Sequence, residues 1–202
     1  METSEVAVKT KWSIDHFQSK ISFRVRHLLI AHVTGSFNSF DASIYTANRD
    51  FKTAEIDLWI ATSSISTGDA TLNRHLRSKD FFDFRHFKQI AFVASTIGSS
   101  DEDGNHELWG ELTMMGITRN VKLNVKFGGI TTDPWGIEKA GFTVSGKISR
   151  SDWGLIWNST TESGGLMVSD EVAINCEIEV ANRGQKALTM QLEPNDYNQN
   201  VF

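Results

Sequence analysis

The stretch RHLRSKDFFDFRHF, residues 74 to 87, places four Lys or Arg side chains and five large apolar ones in fourteen positions. Cations interleaved with aromatics can stack single-stranded bases, grip an anionic lipid surface, or mark a helix end that turns into a core strand. The charge of the whole chain argues against the first. Residues 1–100 hold 12 Lys+Arg against 10 Asp+Glu, residues 101–202 hold 8 against 15, and the net charge is -5. Neither half concentrates the positive charge needed to neutralise a phosphate backbone, so nucleic acid is not expected as a partner.

Other chemistry finds little support. Histidines stand at 16, 27, 32, 75, 86 and 106, with no HExxH pattern and no i, i+2 pair of the kind a sheet would use to hold zinc, so no metal site is assigned. Cys176 is the sole cysteine, which excludes an internal disulfide and a thiolate cluster. There is no GxSxG elbow, no GxxxxGK[ST] phosphate loop and no GxGxxG turn. Asp57 and Glu111 fall on faces expected to be wet, where general acid–base work is disfavoured. No catalytic residue is assigned and no enzyme is expected.

The elements that would position these residues are read from a period of two, the mark of strands with one apolar face. Eight runs show it: 20–27, 34–45, 54–62, 89–97, 106–115, 120–129, 140–149 and 170–180. Turn signals separate them at 101–105, 115–120 and 133–136. One helix is expected over 67–78, between the third and fourth runs, with Leu72, His75 and Leu76 on one face and Thr67 or Asp69 as cap. Residues 150–169 are aperiodic and rich in Gly and Ser, and form a long loop. The domain spans 1–181, and 182–202 is a polar tail. An all-β, eight-stranded antiparallel barrel follows, because closure removes the strand edges. Such a barrel either fills itself with side chains or holds one small ligand, and periodicity does not choose between them.

The ordered segments WSIDHFQSKISFRVRHL, VTGSFNSF, SISTGD, RHLRSKDFFDF, IAFVAST, GELTMMGITRNVKL, DPWGIEKAGFTVSGKISRSDWGLIWN and DEVAINCEIE resemble the YceI-like family of lipocalin-like barrels, from Trp12 to Val180. The resemblance implies an extended barrel with an elongated apolar tunnel that holds a polyisoprenoid chain, and a homodimer. Two departures stand out. Lys88 and Gln89 occupy positions where many relatives have proline after the aromatic pair. Relatives are frequently exported to the periplasm, whereas METSEVAVKTKW lacks the apolar run of a secretion signal, so a cytoplasmic location is expected.

With that resemblance, the inward residues Phe23, Val25, Phe37, Ile56, Leu58 and Phe92 become tunnel lining rather than packed core. So do Leu112, Met114, Leu123, Val125, Phe142 and Val144, with Phe82 and Phe84 from the stretch after the helix and Trp157 from the long loop. Arg74, His75, Arg77, Arg150 and Asn158 are the candidates to meet a polar headgroup. The expected function is non-covalent binding, sequestration or transport of an isoprenoid lipid, either polyprenyl phosphate or quinone, with no other cofactor. The alternatives are a barrel enzyme acting on a lipid-like or quinoid substrate and a ligand-free dimeric stress or interaction module.

Overall fold

The computed structural model describes residues 9–28, 30–101, 104–159 and 167–182. Its strands, in chain order, are β1 (Lys9–Ile14), β2 (Lys20–His27), β3 (Ala31–Phe37), β4 (Phe40–Ala47), β5 (Asp50–Ala61) and β6 (Ile65–Ser66). The helix α1 (Ala70–Arg77) comes next, then β7 (Gln89–Ser100), β8 (Asn105–Met114), β9 (Ile117–Thr132), β10 (Glu138–Ser149) and β11 (Val168–Asn182). All pairings are antiparallel, and β1 against β11 closes the ring.

Three courses of the barrel are broken in two. β1 and β2 both pair with β11, β3 pairs with β2 while β4 pairs with β1, and β6 continues the course of β5 to meet β3. Eight courses result, an eight-stranded closed barrel. The first break is an Asp-initiated turn: the Asp15 carboxylate accepts from the Phe17 amide at 3.1 Å, and Ser19 then bridges to the Glu179 backbone. The N-terminal half of this course, β1, is not among the eight expected runs. It carries Trp12, which is fully buried and donates its indole N–H to the Thr46 hydroxyl at 3.0 Å.

The helix corrects one expectation. It does not lie between a third and a fourth strand but follows the sixth, because the unexpected β1, the break of 34–45 into β3 and β4, and the short β6 all precede it. Asp69 is its cap, its carboxylate accepting from the amides of Thr71 and Leu72 at 2.7 and 2.8 Å. Thr67, the other candidate, instead bonds Asn73. Arg74, His75 and Arg77 in the last turn suit the negative end of the helix dipole.

Alternation sorts side chains as expected on β7 to β9. Ile90 and Phe92, Leu108 and Leu112, and Val121, Leu123 and Val125 are buried, while Val93, Lys122, Asn124 and Lys126 are exposed. The turn into β9 is tighter than the expected 115–120. Met115 and Gly116 both have positive φ, 51° and 72°, the geometry of a two-residue hairpin turn, and β9 starts at Ile117. The long loop begins with a 3-10 turn over Arg150–Trp153. Residues 160–166 of it, and 183–202 of the expected tail, lie outside the described residues. No described helix is long and apolar enough to cross a membrane.

Candidate functional site

Inward side chains of β2, β10 and β11 are only half-buried although they point to the barrel axis: Phe23, Phe142, Val144, Ile174 and Ile178. They border empty space. The lumen holds a cavity of about 480 Å³, within the range of small-molecule sites. Its wall is almost wholly aliphatic and aromatic, with Ser22, His27, His75 and Arg150 as the polar exceptions.

Glycines make room for this volume. A Cβ on Gly110 would fall 2.5 Å from the Phe92 ring, so the absent side chain lets the ring lie flat along the wall. Gly35 serves Phe23 in the same way.

One end of the lumen is closed by aromatic rings. Phe51 of β5 meets Phe142 of β10 at 4.8 Å and Phe127 of β9 at 5.8 Å between ring centroids. β5 is a neighbour of neither β9 nor β10 in the sheet, so its ring meets theirs across the barrel. Trp12 backs Phe51 at 4.8 Å.

The other end is bordered by α1 and the long loop. His75 meets Trp157 edge to face at 4.6 Å and Phe81 at 5.1 Å, and Phe81 meets Trp157 at 5.3 Å. Asp80 stands 3.5 Å from His75 Nε2, an electrostatic contact rather than a short hydrogen bond. Leu72, Leu76, Phe82, Leu155 and Met167 complete this mouth.

Most of the expected lining is found around the cavity. Phe23, Val25, Phe37, Ile56, Leu58, Phe82, Phe92, Leu112, Met114, Leu123, Val125, Phe142, Val144 and Trp157 all border it. Phe84 does not: Asp83, at φ 39°, reverses the chain between Phe82 and Phe84 and breaks the expected run of inward rings. Trp153 is buried as an anchor, donating to the Leu112 carbonyl at 3.0 Å.

The headgroup candidates separate. Arg74 is exposed on the face of α1 away from Leu72 and Leu76. Arg77 donates to the Ile65 carbonyl at 2.8 Å and ties α1 to β6. Arg150 borders the cavity, but its guanidinium is spent on backbone carbonyls: Ser169 at 3.0 Å, Trp157 at 2.9 Å, and Leu155. Burial lowers its pKa against the opposing pull of Asp170. Asn158 likewise bonds the Val168 backbone through both ends of its amide. These two residues hold the loop that carries Trp157. Of the five, His75 alone both borders the cavity and has a side chain with no hydrogen bond to backbone among the described residues.

Sequence reasoning missed part of the lining. Val172, Ile174, Cys176 and Ile178 of β11 border the cavity at strict period two, a signal present in DEVAINCEIEV. Leu72 and Leu76 shared a face with His75 and were legible too. Phe51, just after a turn, carried no periodic signal. Burial pushes the Cys176 thiol up to about 11, the opposite of what an activated nucleophile needs. No cluster of three or more metal-ligating side chains occurs among the described residues.

The family model of the YceI-like domain matches residues 12–180 of this chain. The chain belongs to the YceI-like family. A curated relative, the UPF0312 protein SAS2572 of Staphylococcus aureus MSSA476, is 32% identical over 171 residues, covering 84% of this YceI-like chain and 96% of the relative. Among solved structures, the YCEI protein of Campylobacter jejuni superposes with a TM-score of 0.67 at 28% identity, covering 78% of this chain and 90% of that one. Burkholderia cenocepacia BcnA gives 0.69 at 23% identity, covering 82% and 98%. A polyisoprenoid binding domain from Saccharophagus degradans gives 0.60 at 16% identity, covering 85% and 98%, and shares the barrel fold.

Proposed function

We propose that this YceI-like chain binds one long isoprenoid lipid in its lumen, a polyprenyl phosphate or an isoprenoid quinone, and sequesters or carries it without covalent chemistry. The observation that carries this reading is the continuous apolar cavity of about 480 Å³, closed by rings at one end and bordered by His75 and Trp157 at the other. Apolar surface left facing solvent along that wall forgoes the stabilisation that burial would give, at roughly 25 cal/mol per Å². An apolar chain recovers that loss at roughly 0.8 kcal/mol per buried methylene.

The wall also selects against polar cargo. A charged group inside would be desolvated without a partner, since the Arg150 donors are engaged by carbonyls. A headgroup therefore stays at the mouth, beside His75. The name of the Saccharophagus degradans domain supports the isoprenoid class. The raised Cys176 thiol gives no support to the enzyme alternative.

Trp157 supplies the test. A short-chain isoprenoid quinone titrated into the protein should quench tryptophan fluorescence saturably, at one equivalent. Val144→Trp, which fills the lumen, should abolish the saturable phase while the circular dichroism stays that of a barrel. Quenching that does not saturate, or that survives Val144→Trp, would count against lumen binding.

A further inference from the structure

The β2–β3 tip and the long loop lie side by side at the mouth. The Leu28 amide donates to the Met167 carbonyl at 2.8 Å, and the Met167 amide to the Ser159 carbonyl at 2.9 Å. Side chains alternate on these segments: Leu155 and Trp157 border the cavity, while Ile156 between them is 74% exposed. Ile30 at the neighbouring tip is 87% exposed and Leu28 is partly exposed. None of the three belongs to the core. Leu28 also sits at φ 53°, a left-handed conformation that glycine or asparagine adopts more cheaply.

Cations flank this apolar tip. Arg24, Arg26 and His32 are exposed on β2 and β3, and RVRHLLIAH, residues 24–32, contains no acid. Arg74 and Lys79 stand exposed along the neighbouring α1 segment. Lys9, Arg49, Lys122, Lys139 and Lys147 each reach a carboxylate within 3.3 Å, whereas other exposed cations such as Lys52, Arg119 and Lys126 form no ion pair among the described residues. Arg24, Arg26, Arg74 and Lys79 have no ion pair among the described residues, and Arg24 instead meets His32 Nδ1 at 3.0 Å. Acids around the mouth are engaged: Asp170 of β11 accepts from Ser151, Glu171 pairs with Lys147 at 2.9 Å, and Asp80 faces His75 at 3.5 Å. Exposed Phe17 and Trp135 belong to separate turns, away from this mouth and its unpaired arginines.

We propose that the mouth end of the barrel docks on an anionic lipid bilayer, with Leu28, Ile30 and Ile156 entering the interface and Arg24 and Arg26 meeting lipid phosphates. Exposed apolar side chains flanked by unpaired cations match the two requirements of interfacial binding, buried apolar area and attraction to anionic headgroups. The same geometry sets the lumen's opening against the bilayer, the phase from which an apolar chain has to come. Docking does not depend on a loaded lumen.

Co-sedimentation of the full chain with vesicles tests it. Vesicles of phosphatidylcholine with phosphatidylglycerol should pull the protein down at low salt, phosphatidylcholine alone should do so weakly, and salt should release it. Arg24→Gln with Arg26→Gln should weaken binding about twenty-five-fold, at about fivefold per cation. Ile30→Ser with Ile156→Ser should weaken it by about tenfold or more. Quinone quenching of Trp157, measured on the same variants, should be unchanged, so loss of docking and loss of cargo binding are read separately. No sedimentation with anionic vesicles, equal binding to neutral ones, or undiminished binding by both double variants would overturn the proposal.

Discussion

The ring of Phe23 lies over Gly35, its direct register partner across β2 and β3, so closely that a Cβ on Gly35 would fall 2.3 Å from it. The missing side chain is what allows the ring to lie along the wall and leave the lumen open. Gly35→Ala must swing Phe23 toward the axis. Loss of room for even two methylenes weakens ligand binding about fifteenfold, at roughly 0.8 kcal/mol each. The barrel itself should remain folded, because the displaced ring moves into empty space. Ligand titration alongside thermal melting checks both halves.

His75 and Trp157 form an aromatic edge-to-face contact that joins α1 to the long loop across the mouth, at 4.6 Å. Such a pair contributes about 0.5–1.5 kcal/mol beyond burial. Trp157→Ala should therefore speed release of a bound apolar probe by roughly two- to tenfold, with a smaller effect on its association rate. Stopped-flow displacement measures this directly, and an unchanged release rate would mean that the ligand leaves elsewhere.

Trp12 predicts a stability effect remote from the mouth. Trp12→Phe keeps most of the apolar volume but leaves the buried Thr46 hydroxyl without its donor. An unsatisfied buried group costs about 1–3 kcal/mol. At 2–4 °C per kcal/mol for a chain of this size, the melting temperature should fall by about 2–12 °C. Ligand affinity should change little.

The course break at Asp15 makes stability depend on acid. Lys139 Nζ lies 2.9 Å from the Asp15 carboxylate and 2.8 Å from that of Glu179. The Lys139 hydrogen bond lowers the Asp15 pKa below its ordinary 3.8, and Lys139 itself is raised, first by Glu179 and then by Asp15. The folded state thus binds the Asp15 proton less readily than the unfolded chain does. Its contribution is full above pH 3.8 and is lost as pH falls through the lowered value. Asp15→Asn should flatten the acid limb of the stability curve, as measured by urea melts between pH 2 and about 6.

The barrel was legible because β7 to β10 alternate cleanly, and alternation survives without any knowledge of partners. The number of strand segments before α1 was not. Trp12 sits in KTKWSI, where polar neighbours hide a core residue, and only pairing with β4 and β11 buries it. Which inward residues face a void rather than one another was legible only through family resemblance, since period two reports a face and not what lies beyond it. The headgroup candidates failed to gather for a related reason. Arg77, Arg150 and Asn158 looked free in sequence, but folding supplied each with backbone carbonyls or amides that no local pattern foretells. Phe84 was misplaced by a single left-handed residue, Asp83.

The central claim is that the lumen holds a long apolar chain, and native mass spectrometry of the freshly purified protein, followed by organic extraction, addresses it most directly. One isoprenoid lipid per chain is expected, retained by the native protein and absent from Val144→Trp. A clean unliganded mass that stays unchanged after incubation with isoprenoid quinones and polyprenyl phosphates would contradict it.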